Sequence, residues 1–187
     1  MVRPNVSPGE AIDTKYLIVR QLGQGGMGAV YEARHAGTGR RVAVKVIVGE
    51  TLQKNRDVVA RFQREARAAG AIESAHVVQV LDTGFDPSSG HPYLVMEFLS
   101  GRDLQEIIRE LGPLPPELAL RVVAQACLGL LKAHEVGVVH RDVKPANVFL
   151  ARLDAGDIVV KLLDFGIAED CLGARHAVDA MAGCLTK

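Results

Sequence analysis

Between His140 and Gly166 the chain places an acid, a cation, an amide and a second acid at short intervals: Asp142, Lys144, Asn147 and Asp164. The first three belong to the string His140-Arg141-Asp142-Val143-Lys144-Pro145-Ala146-Asn147, in which Pro145 fixes the loop and forbids a continuing helix. An aspartate in such a loop can accept a hydroxyl proton. A lysine two residues on can neutralise a transferring phosphoryl group, and an asparagine offers a neutral oxygen to a metal ion. Asp164 follows the apolar run Ile158 to Leu163, so a predicted strand projects its carboxylate towards Mg²⁺. Phe165 then packs inward, and Gly166 permits a backbone turn. Each residue alone is most simply a cap or a surface polar group; the ordered set points to phosphoryl transfer.

Three upstream features could serve the same chemistry. Lys45 lies within Val42-Ala43-Val44-Lys45-Val46, where strand alternation puts Ala43 and Lys45 on one face. A lysine in so apolar a run needs a counter-charge or a ligand. Glu65 falls on the apolar stripe of a predicted helix, seven residues after Val58 and three after Phe62. An ion pair with Glu65 would hold the Lys45 ammonium within reach of the α- and β-phosphates of a nucleotide. The blander alternative has Lys45 snorkelling from an edge strand and Glu65 solvated among Arg61, Arg64 and Arg67. The third feature is the turn Gly23-Gln24-Gly25-Gly26-Met27-Gly28, followed by the β-prone Ala29 to Ala33. A dinucleotide fingerprint needs a helix directly after its glycines. Here the glycines fit a hairpin that lies close over phosphates, with a plain hairpin turn as the alternative.

The elements that must position these groups fall into two halves. Residues 1–13 hold Pro4, Pro8 and Gly9 and read as a loose leader. Strands are predicted over Tyr16 to Gln21, Val30 to Arg34 and Arg41 to Val48, then a helix over 57–72, then strands over Val77 to Leu81 and Tyr93 to Phe98. After Gly101 long helical patterns start near Asp103 and near Pro116, where Pro115-Pro116-Glu117 is a sound helix start. The boundary between halves is expected at 97–102. The helix near 116–136 is expected to bury its stripe (Leu120, Val123, Leu130 and Leu131) partly against later helices that do not follow in this sequence.

With 48% hydrophobic and 24% charged residues over 187 positions, the chain is long enough for one domain or two small lobes, and disorder is not the default. Twenty-two basic residues balance 22 acidic ones, which argues against a nucleic-acid partner or a polybasic membrane patch. Cys127, Cys171 and Cys184 show neither metal-site nor disulfide spacing and suit a reducing compartment. No signal peptide or membrane segment is visible; the most apolar stretch, Leu118 to Leu131, carries Arg121. The expected location is the cytoplasm, with any membrane tether left to a region beyond Lys187.

Taken together, these motifs resemble the protein kinase superfamily, and Gly25-Gly26-Met27-Gly28-Ala29-Val30-Tyr31 is similar to the bacterial, eukaryotic-like serine/threonine kinases. The resemblance implies an α+β, two-lobe fold: an antiparallel β-sheet N-lobe with helix αC (residues 14–99 with the hinge) and an incomplete, mainly helical C-lobe (100–187, ending in the activation segment). It implies that Leu22, Gly23, Gln24, Gly25, Gly26, Gly28 and Val30 cover the nucleotide. Lys45 would hold its phosphates with Glu65 as partner. Met96 would be the gatekeeper, and backbone groups of Glu97 and Leu99 would bind adenine. Asp103 would lie near the ribose, and Ala43, Val30 and Phe149 would sandwich the base. Asp142 would be the catalytic aspartate, Lys144 a phosphate-binding lysine, and Asn147 and Asp164 the metal ligands. Lys144 is similar to serine/threonine rather than tyrosine kinases, and Arg141 to the subgroup controlled by phosphorylation of the activation loop.

The implied cofactors are ATP and Mg²⁺, with Mn²⁺ as a second choice of metal, and the implied partners are proteins bearing serine or threonine hydroxyls. The resemblance covers residues 13–170. The Ala-Pro-Glu region and later helices of the family do not follow, so roughly a third of a domain of usual size is absent from the sequence. Exposing apolar side chains that such helices would cover costs roughly 1.5–3 kcal/mol each, against about 5–15 kcal/mol of total stability. The isolated chain is therefore expected to be weakly active or inactive. The alternative is a nucleotide-binding module that acts without catalysis, and small-molecule phosphotransfer on the same fold is a third reading.

Overall fold

The computed structural model describes residues 6–25, 28–47, 56–153 and 156–165, the side chains at 56–59 and 61 excepted. The chain divides into two compact units. The first holds the described residues up to Ala66 with Asp82–Val95, and the second holds Arg67–Leu81 with Met96 to Phe165.

The first unit is dominated by an antiparallel sheet. Strands β1 (Ala11–Ile12), β2 (Tyr16–Gly25), β3 (Gly28–His35), β4 (Arg41–Ile47), β5 (Val80–Phe85) and β6 (Pro92–Glu97) stand in the order β1-β2-β3-β4-β6-β5. Helix α1 (Arg56–Gly70) interrupts them in sequence. The β-branched run of β4 forms the middle of the sheet, with Val42, Val44, Val46 and Ile47 all buried. Phe62, Ala66 and Ala69 are the buried stripe of α1, as the helical period predicts. Phe62 meets Phe85 edge-on at 6.0 Å between ring centroids.

Part of the stretch predicted as a loose leader is ordered. Ile12 is buried and pairs with Tyr16 across a turn in which Asp13 and Thr14 both take left-handed backbone angles, φ 49° and 53°. Two tyrosines hold this turn to the β5–β6 hairpin: Tyr16 Oη donates to Asp82 and Tyr93 Oη to Asp13, each at 2.6 Å. Burial, then the aspartate that each faces, raises both phenols above their ordinary range. The Asp13 N–H donates to Asp86. Burial alone would raise the Asp86 carboxyl, but the Ser88 and Ser89 hydroxyls and two backbone N–H groups hold it at about 2.

The second unit contains α2 (Leu104–Leu111), α3 (Pro116–Glu135) and a small sheet of β7 (Gly101–Asp103), β8 (Val148–Arg152) and β9 (Ile158–Leu162) in that order. Strand β9 falls on the predicted run Ile158 to Leu163, while β7 and β8 lie where no strand is predicted. They are too short for alternation to register and exist because each pairs with a neighbour. Val77 and Val78, predicted as a strand with Leu81, instead bridge to Leu162, and regular pairing starts at Val80.

The core of the second unit gathers Val77, Val122, Ala126, Ala133, Val148, Val160, Leu162 and Phe165. Helix α3 contributes Val122, Ala126, Gly129 and Ala133, while Leu120, Val123 and Leu131 are 70%, 58% and 53% exposed. The face buried within this unit is thus a small-residue stripe with Leu130 packed at its margin, and Leu120, Val123 and Leu131 stay exposed, in line with a stripe meant partly for helices that do not follow. Close approach is the reason for the small residues. A Cβ on Gly129 would sit 2.6 Å from the His76 carbonyl oxygen. Among the described residues no helix is long and apolar enough to cross a membrane.

Candidate active site

In the first unit the glycine-rich turn is a hairpin. Gly23 faces Val30, Gln24 faces Ala29 and Gly25 faces Gly28, and β3 follows at once, so no helix N-terminus stands after the glycines as a dinucleotide site requires. Leu22 falls in a register shift between the pairs Gln21–Tyr31 and Gly23–Val30, and is 40% exposed. A Cβ on Gly23 or Gly25 would meet nothing within 4 Å, so that surface is open. Gly28 is different: at φ 142° a Cβ would lie 1.9 Å from the Val46 carbonyl oxygen, and only glycine fits. Gly26 lies outside the described residues.

Val30 is the cross-strand partner of Lys45, and Glu32 of Ala43, so Val30, Ala43 and Lys45 share one face of the sheet. Strand β4 has β3 on one side and β6 on the other. Lys45 therefore does not snorkel from a sheet edge, and that alternative falls. Its side chain is half-buried, and Glu65, also half-buried, stands on α1 in the same unit. Beside them Glu32, 5% exposed, receives Arg41 Nε at 2.6 Å and Arg20 Nε at 2.8 Å. The Arg41 hydrogen bond first, then that of Arg20, holds its carboxyl below the usual range although burial opposes this.

In the second unit the residues of the 140–147 loop converge on one carboxylate. Asp142 Oδ2 accepts from Lys144 Nζ at 2.5 Å and from Asn147 Nδ2 at 2.9 Å, and Asn147 Nδ2 also donates to the Asp142 carbonyl at 2.8 Å. Pro145–Asn147 form a 3₁₀ turn, as the proline requires, and Asn147 is buried. With its amide protons spent on Asp142, Asn147 keeps Oδ1 as the atom able to ligate a cation. The Leu163 N–H donates to the Asn147 carbonyl at 2.9 Å, which brings Asp164 beside the loop. A neutral amide oxygen and a carboxylate together suit a hard divalent cation.

His140 locks the arrangement. It is buried, its Nε2 lies 2.8 Å from the Leu163 carbonyl oxygen, and its Nδ1 accepts the Asp142 N–H at 3.3 Å. Those partners assign the proton to Nε2 of a neutral ring, and burial lowers the ring's pKa in agreement. Its ring centroid is 4.5 Å from that of Phe165, which is buried as predicted; Gly166 and the stretch after it lie outside the described residues. Arg141 and Asp164 have φ 65° and 50°, strained angles for residues with a Cβ, and both flank the cluster.

The remaining site candidates also fall in the second unit. Met96 is buried, Glu97 ends β6, and Leu99 lies in the irregular connector before β7. Asp103 caps α2, its Oδ1 accepting the Glu106 N–H at 2.8 Å, and it pairs across the small sheet with Phe149. One charged group escaped the sequence reading: Lys161, whose ammonium meets the Glu97 carboxylate at 2.7 Å. A signal existed, because Lys161 interrupts the apolar run Ile158 to Leu163 just as Lys45 interrupts its own strand.

The family described as protein kinase domain matches residues 16–186 of the chain. The chain is 41% identical over 157 residues to serine/threonine-protein kinase pkn2 of Myxococcus xanthus, covering 84% of this chain and 18% of that protein. It is 42% identical over 170 residues to serine/threonine-protein kinase Pkn1 of the same organism, covering 91% and 24%. Serine/threonine-protein kinase PknB of Mycobacterium leprae is 41% identical over 159 residues, covering 84% and 25%. The chain thus spans a quarter or less of the length of these relatives. Among solved structures it is similar to the PknI kinase domain of Mycobacterium tuberculosis, with a TM-score of 0.73 at 33% identity, over 88% of this chain and 62% of that one.

Proposed function

Because this chain belongs to the protein kinase family, we propose that it transfers the γ-phosphoryl group of ATP to serine or threonine hydroxyls of proteins. The observation that carries this reading is the Asp142 carboxylate, held by Lys144 and Asn147 in one loop that is bonded in turn to Leu163, next to Asp164. A carboxylate fixed in this way needs no reorganisation when a hydroxyl arrives.

Asp142 orients the hydroxyl and accepts its proton as the oxygen attacks the γ-phosphorus; the bond from that phosphorus to the β,γ-bridging oxygen breaks, and ADP leaves. Lys144 lies beside the same carboxylate and neutralises charge on the phosphoryl group in flight. Lys45, oriented by Glu65, holds the α- and β-phosphates, and Gly23, Gln24, Gly25, Gly26 and Gly28, with Leu22, cover them. Val30, Ala43 and Phe149 contact the base, with Met96, Glu97 and Leu99 at its edge and Asp103 near the ribose. Asn147 and Asp164 hold a divalent cation, for which Mg²⁺ fits a pair of hard oxygen donors better than softer metals do. When bound, that cation would supply positive charge that offsets the charge of the phosphates.

The test is paired measurement of ATP binding and of label transfer from γ-labelled ATP to a generic basic protein. The proposal expects the chain to bind ATP, Lys45→Met to weaken that binding, and Asp142→Asn to bind ATP while losing transfer by about 10²–10⁴-fold. Binding with no Asp142-dependent transfer would favour the nucleotide-binding module instead, and no binding would end both readings.

A further inference from the structure

The roles above give no task to Lys161, the partner of Glu97 in a nearly buried ion pair. The Lys161 side chain is 12% exposed and its Nζ lies 2.7 Å from Oε1 of Glu97, itself 23% exposed. The same Oε1 accepts the Gln79 N–H at 2.9 Å, and the Glu97 N–H donates to the Gln79 carbonyl at 3.0 Å. The Val77 carbonyl oxygen lies 3.5 Å from the ammonium. Glu97 is therefore gripped at its main chain and at its carboxylate, and every partner belongs to the second unit.

The position of this clamp is informative. Glu97 is the last residue of β6, and 98–100 have no regular structure before β7 begins at Gly101. The far end of that connector is held by the Arg152 N–H on the Ser100 carbonyl at 2.7 Å. The clamp holds its near end. Lys161 also closes a row across the small sheet: Asp103 pairs with Phe149, and Phe149 with Lys161, so the three share one face. Val160 and Leu162, which alternate with Lys161, point into the core instead. The first two members of the row are the residues assigned above to ribose and base. An apolar residue at 161 would serve the strand at no desolvation cost, and replacing buried pairs by apolar groups is often neutral or stabilising. Packing alone does not account for a lysine here.

We propose that Lys161 is a positioning residue for adenine recognition: through its ion pair it fixes the Glu97 main chain at the end of the Asp103–Phe149–Lys161 row. This rests on the nucleotide-binding reading above. The pair acts on where the connector's carbonyl and N–H groups stand, so its loss weakens binding of a matching base edge more than binding of phosphates.

The experiment measures calorimetric binding of ADP and GDP to the chain and to its Lys161→Met, Lys161→Arg and Glu97→Gln variants, with a melting curve for each. Lys161→Met keeps the aliphatic stem and removes the charge. It is expected to bind ADP about tenfold more weakly, or about 1.4 kcal/mol, with GDP changed by less than about threefold, so that base discrimination shrinks. Lys161→Arg restores the ADP affinity to within about threefold of the unaltered chain. Glu97→Gln, which keeps an acceptor for the Gln79 N–H, shows the same loss from the other partner and serves if Lys161→Met does not fold. ADP affinity within about twofold in both Lys161→Met and Glu97→Gln would overturn the assignment, as would parallel losses for ADP and GDP that track the fall in melting temperature. An unaltered chain that binds no ADP would instead refute the nucleotide reading beneath it.

Discussion

Gly129 lies in the middle of α3, where helix propensity favours alanine by about 1 kcal/mol. Gly129→Ala therefore sets local preference directly against packing. The added Cβ would stand 2.6 Å from the His76 carbonyl oxygen and 3.1 Å from Leu162 Cδ1. A leucine methyl can yield a few tenths of an ångström. The carbonyl cannot, because it accepts the Leu162 N–H at 2.9 Å, and the His76 ring is itself tied to the Val160 carbonyl. Overpacking of this kind costs about 2 kcal/mol and a stretched backbone hydrogen bond about 1 kcal/mol more, against about 1 kcal/mol gained in propensity. The net expectation is destabilisation by about 2 kcal/mol. In urea denaturation with a slope near 2 kcal/mol/M, that moves the midpoint down by about 1 M. A midpoint that stays or rises would mean that α3 does not approach the 76–78 segment as closely as argued, and that Gly129 has no packing role.

Tyr93→Phe should cost about 1 kcal/mol by removing the hydrogen bond to Asp13, and limited proteolysis should then cut more readily near residues 9–15. The lowered Glu32 carboxyl contributes stability that is complete above its unfolded pKa of about 4.5 and is lost as pH falls through the depressed folded value. Glu32→Gln should flatten this acid limb of a stability–pH curve, and an unchanged limb would show that the Arg41 and Arg20 bonds do not shift the carboxyl. His140 also has a depressed folded pKa, so the unfolded chain binds the extra proton first, and stability should begin to fall once pH drops below about 6.5. Replacing His140 with glutamine should remove that inflection whatever it does to overall stability.

Much of the candidate site was legible because its signals are local. Pro145 dictates a tight turn wherever it occurs, and the alternation of Val42, Ala43, Val44 and Lys45 states which face the lysine takes without reference to a partner. The start of α3 is equally local: Pro116 and Glu117 suit the first turn of any helix. Alternation also identified most strands of the large sheet, though Val77 and Val78, equally β-prone, went to a bridge with Leu162. Propensity cannot foresee which neighbour arrives.

Other decisions belonged to tertiary structure alone. Strand β7 has three residues, too few for any period, and exists only because Gly101 to Asp103 find Ala151 to Phe149. The buried face of α3 went to Val122, Ala126, Gly129 and Ala133 rather than to its larger leucines, because the helix comes within contact of a backbone carbonyl and only small side chains allow that distance. Glu97 and Lys161 stand 64 residues apart in sequence, and neither shows its partner locally. By itself the sequence determined which groups are the candidates for the chemistry and most of the strands, turns and helix starts that present them, since these follow from neighbouring residues. The fold decided which side chains meet and how closely, since those distances depend on residues far apart in the chain.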